Sequence, residues 1–256
     1  MLKECYYADQ RDFDNIDYVY LHRFIDRMIQ YRNSYKGSYD GKKRMDEIKR
    51  IDLYDKNIKP CQGCFSCWKS DEGKCVIRDD MDEIIEAIKE ADIIIQSYPL
   101  YFYGMPSQMK AMTDRCLQLV MPYMGDKSET ETTFNELRDP SMWEKKLVLI
   151  SSCGYVETEP VYPALLAQYD LICGKGNYTS ILCPEGEIFV TGKAKRQQDM
   201  YLESIRAAGA EYASNFSLSD ETLRKIAIPM LSPLSFSTIT KAHWKDGHWT
   251  ERDLEQ

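Results

Sequence analysis

Apolar residues recur along this chain with two periods, and stretches of one period alternate with stretches of the other. Residues 16–30 (IDYVYLHRFIDRMIQ) place apolar side chains at 16, 19, 20, 24, 28 and 29, the stripe of a helix. Residues 81–90 and 105–121 predict two more helices. Asp79 and Asp80 stand ahead of the first, where carboxylates favour the positive helix end, and Pro106 stands in the first turn of the second. Residues 160–171, 195–216 and 219–230 predict further helices, the last opened by Ser219. Short runs at 4–8, 47–53, 93–98, 146–152 and 178–183 predict strands. The run at 93–98 (IIIQSY) is the strongest, its β-branched residues suiting a sheet buried on both faces.

Strands separated by helices of ten or more residues imply right-handed crossovers and a parallel sheet. The polar stretches 33–44 and 126–143 read as surface excursions, and nothing definite is predicted after Pro229. No repeat and no linker divides the chain. A single three-layer α/β domain over 1–256, with a helical extension from about 195, is therefore expected.

Charge narrows the partners. Asp and Glu number 41 against 33 Lys and Arg, a formal net charge of −8, where nucleic acid or an anionic membrane surface would ask for a basic face. At 43% hydrophobic and 12% aromatic residues, the chain can build a core. No run approaches 18 apolar residues, and the first ten, broken by Lys3, Glu4 and Asp9, do not read as a signal peptide. Nine cysteines, an odd number in a long chain, fit a reducing cytoplasm better than a secreted disulfide framework.

Four of those cysteines, Cys61, Cys64, Cys67 and Cys75, are spaced C-x2-C-x2-C-x7-C. A compact triplet with a fourth thiol further on is the spacing a cubane iron–sulfur cluster uses, whereas structural zinc more often takes two separated pairs. A cluster, zinc and unligated thiols all remain open on spacing alone. Cys5, Cys116, Cys173 and Cys183 fall on predicted strands or helices and read as small buried apolar residues. Cys153 follows the fourth strand, where reaction and packing are both open. His22, His243 and His248 form no triad or metal pattern and read as structural. Lys110 and Asp114, four residues apart, read as a solvated helix pair.

Three segments resemble the flavodoxin-like NAD(P)H-dependent FMN reductase family, and more closely its iron–sulfur flavoprotein branch. They are IKPCQGCFSCWKSDEGKCVIRDDM at 58–81, ADIIIQSYPLYFYGMPSQMKAMTDR at 91–115, and LVLISSCGY at 147–155, with PEGEIF following at 184–189. The resemblance runs over roughly 45–230, and its order makes it specific. It implies a flavodoxin-like sandwich whose five-stranded parallel sheet has the order 2-1-3-4-5. It also implies FMN as cofactor, NAD(P)H as hydride donor, a small-molecule or protein electron acceptor, and a homo-oligomer. The isoalloxazine ring would be framed by Pro99, Leu100, Tyr101, Phe102, Tyr103 and Gly104 in one turn and by Ser152, Cys153, Gly154 and Tyr155 in the next. In open α/β sheets ligands sit beyond the carboxyl ends of the strands, and both turns are placed there. Pro99 lacks an N–H, and Gly104 and Gly154 would let the backbone approach a flat ligand. By the same resemblance all four motif cysteines would ligate a [4Fe–4S] cluster. No side chain demands a general acid or base role, so no catalytic residue is assigned.

One segment departs from the family. Its phosphate loop, S-P-R-x-x-S-x-T, corresponds here to Asp9-Gln10-Arg11-Asp12-Phe13-Asp14-Asn15-Ile16, in which only Arg11 and Asn15 match. Carboxylates at 9, 12, 14 and 17 face a position meant for a dianion. Two unit charges ~6 Å apart at an effective dielectric of ~20 repel by roughly 3 kcal/mol. Flavin affinity that is weak, absent or achieved differently is therefore expected, and two other readings stand beside the reductase: a non-enzymatic carrier of electrons through a cluster, a flavin or both, and a flavodoxin-like scaffold that has lost its cofactor.

Overall fold

The computed structural model of the chain describes residues 3–8, 20, 23–30, 47–124 and 135–245. Within them lie strands β1 (Lys3–Ala8), β2 (Glu47–Asp52), β3 (Ile93–Ser97), β4 (Val120–Met124), β5 (Asn135–Leu137), β6 (Lys146–Ser152) and β7 (Tyr178–Cys183). The helices are α1 (residues 23–30), α2 (Met81–Glu90), α3 (Ser107–Arg115), α4 (Pro163–Cys173), α5 (Lys195–Asn215), α6 (Asp220–Ile226) and α7 (Pro233–Lys245).

Five strands form one sheet in the order β2-β1-β3-β6-β7, each neighbouring pair parallel, which is 2-1-3-4-5 when these five are counted alone. Alternation along the central strands sends side chains to two cores. Ile93, Ile95, Val148, Ile150, Ile181 and Cys183 pack with Phe24 and Met28 of α1 and with Tyr201, Leu202, Ile205 and Tyr212 of α5. Ile94, Leu147, Leu149 and Leu182 face the opposite layer, built by α2, α3 and α4. Each helical layer is thus selected by the period-two pattern of strands buried on both faces. At one point the two helices of the first layer, α1 and α5, approach as closely as backbone allows. A Cβ added at Gly209 of α5 would overlap the carbonyl oxygen of Phe24, so only glycine lets these helices meet.

Two expectations need correction, and one stretch left open is filled. The helix expected over 105–121 stops at Arg115, passes into a 3-10 turn at Cys116–Leu119, and becomes β4. Part of the expected 126–143 excursion is β5, antiparallel to β4. The stretch after Pro229 holds α7, whose N-terminus is set by Pro233 and by the Ser232 hydroxyl, which accepts from Ser235 N at 3.2 Å. The expected capping by Asp79 and Asp80 is divided: Asp79 Oδ1 accepts from Met81 N at 3.1 Å, while Asp80 Oδ2 accepts from Asn57 N at 2.8 Å. No helix among the described residues is long and apolar enough to cross a membrane.

Candidate functional site

The sheet order reverses between β1 and β3, so the crevice beyond their carboxyl ends is the position a ligand would take. Beyond β3 the chain stays alongside β6: Tyr98 N donates to Ile150 O at 3.1 Å and Leu100 N to Ser152 O at 2.8 Å. This extension places the turn at 99–104 directly beside the one at 152–155. The first turn is a tight hairpin. Tyr101 N donates to Gly104 O at 3.1 Å and Gly104 N returns to Tyr101 O at 2.9 Å, with φ +48° at Phe102 and +64° at Tyr103. Two aromatic residues in the left-handed region cost roughly 1–3 kcal/mol each, strain of the kind that collects at ligand sites. The tip stands out from the fold, with Phe102 fully exposed.

Tyr103 and Tyr155 join the two turns. Their hydroxyls lie 3.0 Å apart and their rings stack at 6.0 Å and 25°. The hydrogen bond with Tyr103 raises the Tyr155 phenol above its ordinary value. Ser152 and Cys153 are buried, and the Cys153 thiol donates to Tyr155 O at 3.7 Å. The reason expected for Gly154 changes as well. A Cβ there would lie 2.7 Å from Glu187 Oε1, so the space is taken by a carboxylate of this chain; at Gly104 a Cβ would meet nothing closer than 3.9 Å.

Glu187 belongs to the segment 184–189, to which the sequence alone assigns no role. Glu185 N donates to Tyr155 O and Gly186 N to Cys153 O, both at 2.8 Å, stitching the turn after β7 to the turn after β6. Glu185 is fully buried at φ +55°, and its Oε2 accepts from Met230 N at 2.5 Å and Leu231 N at 3.0 Å. Burial raises its carboxyl above the ordinary range, and the two amides only partly oppose this. Trp244 Nε1 donates to Glu187 Oε2 at 3.3 Å, so the approach to α7 and its C-terminal end are both tied to the turn after β7.

The cysteine segment lies between β2 and α2. Cys61 and Cys64 are exposed, Cys67 is buried and Cys75 is half-buried. Burial raises the Cys67 thiol, and the charges of Cys75, Cys61 and Cys64 act on it in the same direction. Among the described residues no three His, Cys, Asp or Glu side chains converge as a metal ligand set. Arg11 and Asn15 lie outside the described residues, as do His22 and His248. The Lys110–Asp114 pair forms at 2.5 Å on the surface. Its neighbour Arg115 was missed, because its partner Asp79 is 36 residues away and no local spacing reveals it.

Residues 41–160, a little under half of the chain, match the family model described as NADPH-dependent FMN reductase. An iron–sulfur flavoprotein of Methanocaldococcus jannaschii is 49% identical over 69 residues, which cover 27% of this chain and 35% of that protein. An iron–sulfur flavoprotein of Methanosarcina thermophila is 40% identical over 78 residues, 30% of this chain and 40% of the relative. The matches thus span about a third to two fifths of the curated relatives' length. An FMN-dependent NADH-azoreductase of Bacillus anthracis, solved in complex with FMN, superposes with a TM-score of 0.54 at 18% identity, over 84% of this chain and 99% of that one. An NAD(P)H:quinone oxidoreductase of Methanothermobacter marburgensis gives 0.53 at 17% identity, over 82% and 96%. At these identities the superpositions speak for the flavodoxin-like α/β fold. The likeness of this chain to the NADPH-dependent FMN reductase family, and to its iron–sulfur flavoproteins, is therefore borne out over residues 41–160.

Proposed function

We propose that this protein is an oxidoreductase that carries electrons from NAD(P)H through FMN to an acceptor. The observation that carries the reading is the pairing of the 99–104 and 152–155 turns at the carboxyl ends of β3 and β6, beside the switch point of the sheet. The residues present fit a flat heterocycle: stacked tyrosines, a strained aromatic tip, and backbone held in place by Leu100 and Glu185. Pro99, Leu100, Tyr101, Phe102, Tyr103 and Gly104 would line one side of the ring, and Ser152, Cys153, Gly154 and Tyr155 the other, with Arg11 and Asn15 toward the phosphate. Bound there, the flavin supplies the hydride and one-electron chemistry, and the protein contributes position and electrostatics. Titration with FMN followed by NADH and NADPH oxidation with quinone as acceptor tests this. Flavin absorbance retained on the protein with steady turnover supports it, and a protein that stays colourless and inert refutes it.

The cysteine loop favours a second cofactor in the same protein. Cys61, Cys64, Cys67 and Cys75 supply the four soft thiolates a [4Fe–4S] cluster takes, and a cluster would pass single electrons to or from the flavin. Iron and sulfide analysis after anaerobic purification tests it. A protein with a cluster but no NAD(P)H turnover is the electron carrier instead of the reductase.

A further inference from the structure

One carboxylate at the ring turns has no cation to answer it among the described residues. The three neighbouring turns, 99–104, 152–159 and 184–189, hold Glu157, Glu159, Glu185 and Glu187 and no lysine, arginine or histidine. Glu185 is buried and spent on the Met230 and Leu231 amides, and Glu157 and Glu159 are exposed beyond Tyr155 along the chain. Glu187 differs from all three. Its Oε1 lies against Gly154, where a Cβ would come within 2.7 Å, and its Oε2 accepts from Trp244 Nε1 at 3.3 Å, its one polar partner among the described residues. An indole N–H orients a carboxylate but carries no charge to neutralise it. After the hydrogen bond with Tyr103, the Glu187 charge also raises the Tyr155 phenol. Beside this carboxylate stand aromatic faces that water reaches, since Tyr101, Tyr103, Tyr155 and Trp244 are all exposed. Ring faces and a carboxylate both draw positive charge, and the rings supply area for stacking, so together they suit a flat cation.

We propose that Glu187 is the specificity-determining residue of the ring turns and that the electron acceptor they take is a flat aromatic cation, stacked on the exposed tyrosines with its charge between the Glu187 carboxylate and the Trp244 indole. This rests on the reading that the turns hold FMN and pass on electrons from NAD(P)H. The charges balance. An acceptor cation that takes a hydride equivalent, one proton with two electrons, from the reduced flavin becomes neutral. NAD(P)H restores that hydride equivalent and leaves as NAD(P)+. The neutral product has lost its attraction for Glu187, so the same carboxylate draws the substrate in and lets the product go. An acceptor bearing a sulfonate meets repulsion at this point, and an uncharged quinone meets neither.

The test uses the full chain loaded with FMN and three acceptors: methylene blue as the cation, a naphthoquinone as the neutral molecule, and its sulfonate as the anion. With NAD(P)H as donor, kcat/KM is measured for wild type, Glu187→Gln and Glu86→Gln, the last removing one charge from α2, which runs toward the opposite edge of the sheet. Binding of oxidised methylene blue in the absence of NAD(P)H is followed in parallel by equilibrium dialysis. Glu187→Gln keeps an acceptor for the Trp244 N–H and removes only the charge. It weakens methylene blue about fivefold in both kcat/KM and Kd, the effect of one unit charge at ~4 Å in water. It strengthens the sulfonate by a similar factor and leaves the neutral quinone alone, and Glu86→Gln moves none of them. Equal changes toward all three acceptors in a folded Glu187→Gln, or no change, overturn the proposal and leave the FMN reading standing. So does a Glu86→Gln that behaves as Glu187→Gln does, because the selection would then belong to the net charge of −8. Should Glu187→Gln fail to fold, unchanged methylene blue affinity in Trp244→Leu, which removes the ring face, overturns the proposal. A wild type that stays colourless with FMN and oxidises no NAD(P)H defeats the FMN reading and the proposal with it.

Discussion

Asp79→Asn is the sharpest single test of how the cysteine loop is anchored. The carboxylate accepts four hydrogen bonds, two from Arg115 and one each from Lys59 N and Met81 N. Asparagine keeps one acceptor oxygen and turns an NH2 toward the guanidinium, so at least one bond becomes a donor–donor contact. The Arg115 charge then stays buried and uncompensated, a defect that costs about 3–5 kcal/mol. By contrast, the Lys110–Asp114 pair on the same helix has side chains 47% and 45% exposed, so Lys110→Ala is worth at most about 0.5 kcal/mol. At roughly 2–4 °C per kcal/mol for a chain of this size, Asp79→Asn lowers Tm by about 6–20 °C. Urea unfolding with an unchanged m-value is the cleaner assay. The gap should also depend on pH with a definite sign. Burial opposes the Asp79 charge, but Arg115 and the amides outweigh it and hold the pKa below the ordinary aspartate range. The pair's contribution is therefore present above the unfolded pKa and lost as pH falls through the folded one, so wild type and variant converge in acid. A variant within about 1 kcal/mol of wild type at neutral pH would refute the reasoning, because the pair would then have to be hydrated.

Gly209→Ala should destabilise by about 1–3 kcal/mol or more, since the new methyl meets the Phe24 backbone and no side chain can yield; denaturant midpoints check it. Glu185→Gln keeps an acceptor for Met230 N and Leu231 N without a charge. Because burial raises the Glu185 pKa, its carboxyl contributes stability below the unfolded pKa that is lost as pH rises through the folded value; the glutamine variant should equal or exceed wild type at neutral pH. Glu185→Ala, lacking any acceptor, should lose roughly 1–3 kcal/mol and expose the segment before α7 to proteolysis. Gly154→Ala should displace the Glu187 carboxylate and alter Trp244 fluorescence at a cost below about 1 kcal/mol, since the obstacle is the end of a flexible side chain.

Periodicity located the sheet and much of the helical framework because the pattern and the burial coincide there. The expected bounds of α2, β6 and β7 are those observed, and β3 ends one residue earlier than expected. The α3 boundary was not legible: apolar residues continue at helical spacing through Cys116, Leu119 and Val120, and no glycine or proline marks the change at Arg115. Tertiary pairing with β5 decides it, which is the usual limit of local propensity. The start of α7 was legible in principle, since Ser232-Pro233 followed by Ser235 is a capping pattern.

The same distinction separates the two parts of the site. The ring turns could be read from the chain because a strand followed by Pro99 and an aromatic run is local, and so is the strand leading to Gly154. What holds these turns and the cysteine loop is not local. Glu185 reaches Met230 and Leu231 across 45 and 46 residues, Trp244 reaches Glu187 across 57, and Arg115 reaches back to Lys59 across 56. Glu185 and Arg115 are charged side chains whose sequence neighbours would be satisfied by a surface position, and only burial shows otherwise. A carboxylate or guanidinium withdrawn from water persists only where fixed partners surround it, so these groups restrict the backbone more tightly than an apolar contact of the same size. Such restriction is what a flat heterocycle between two turns, or four thiols around one cluster, would need from the fold before either arrives.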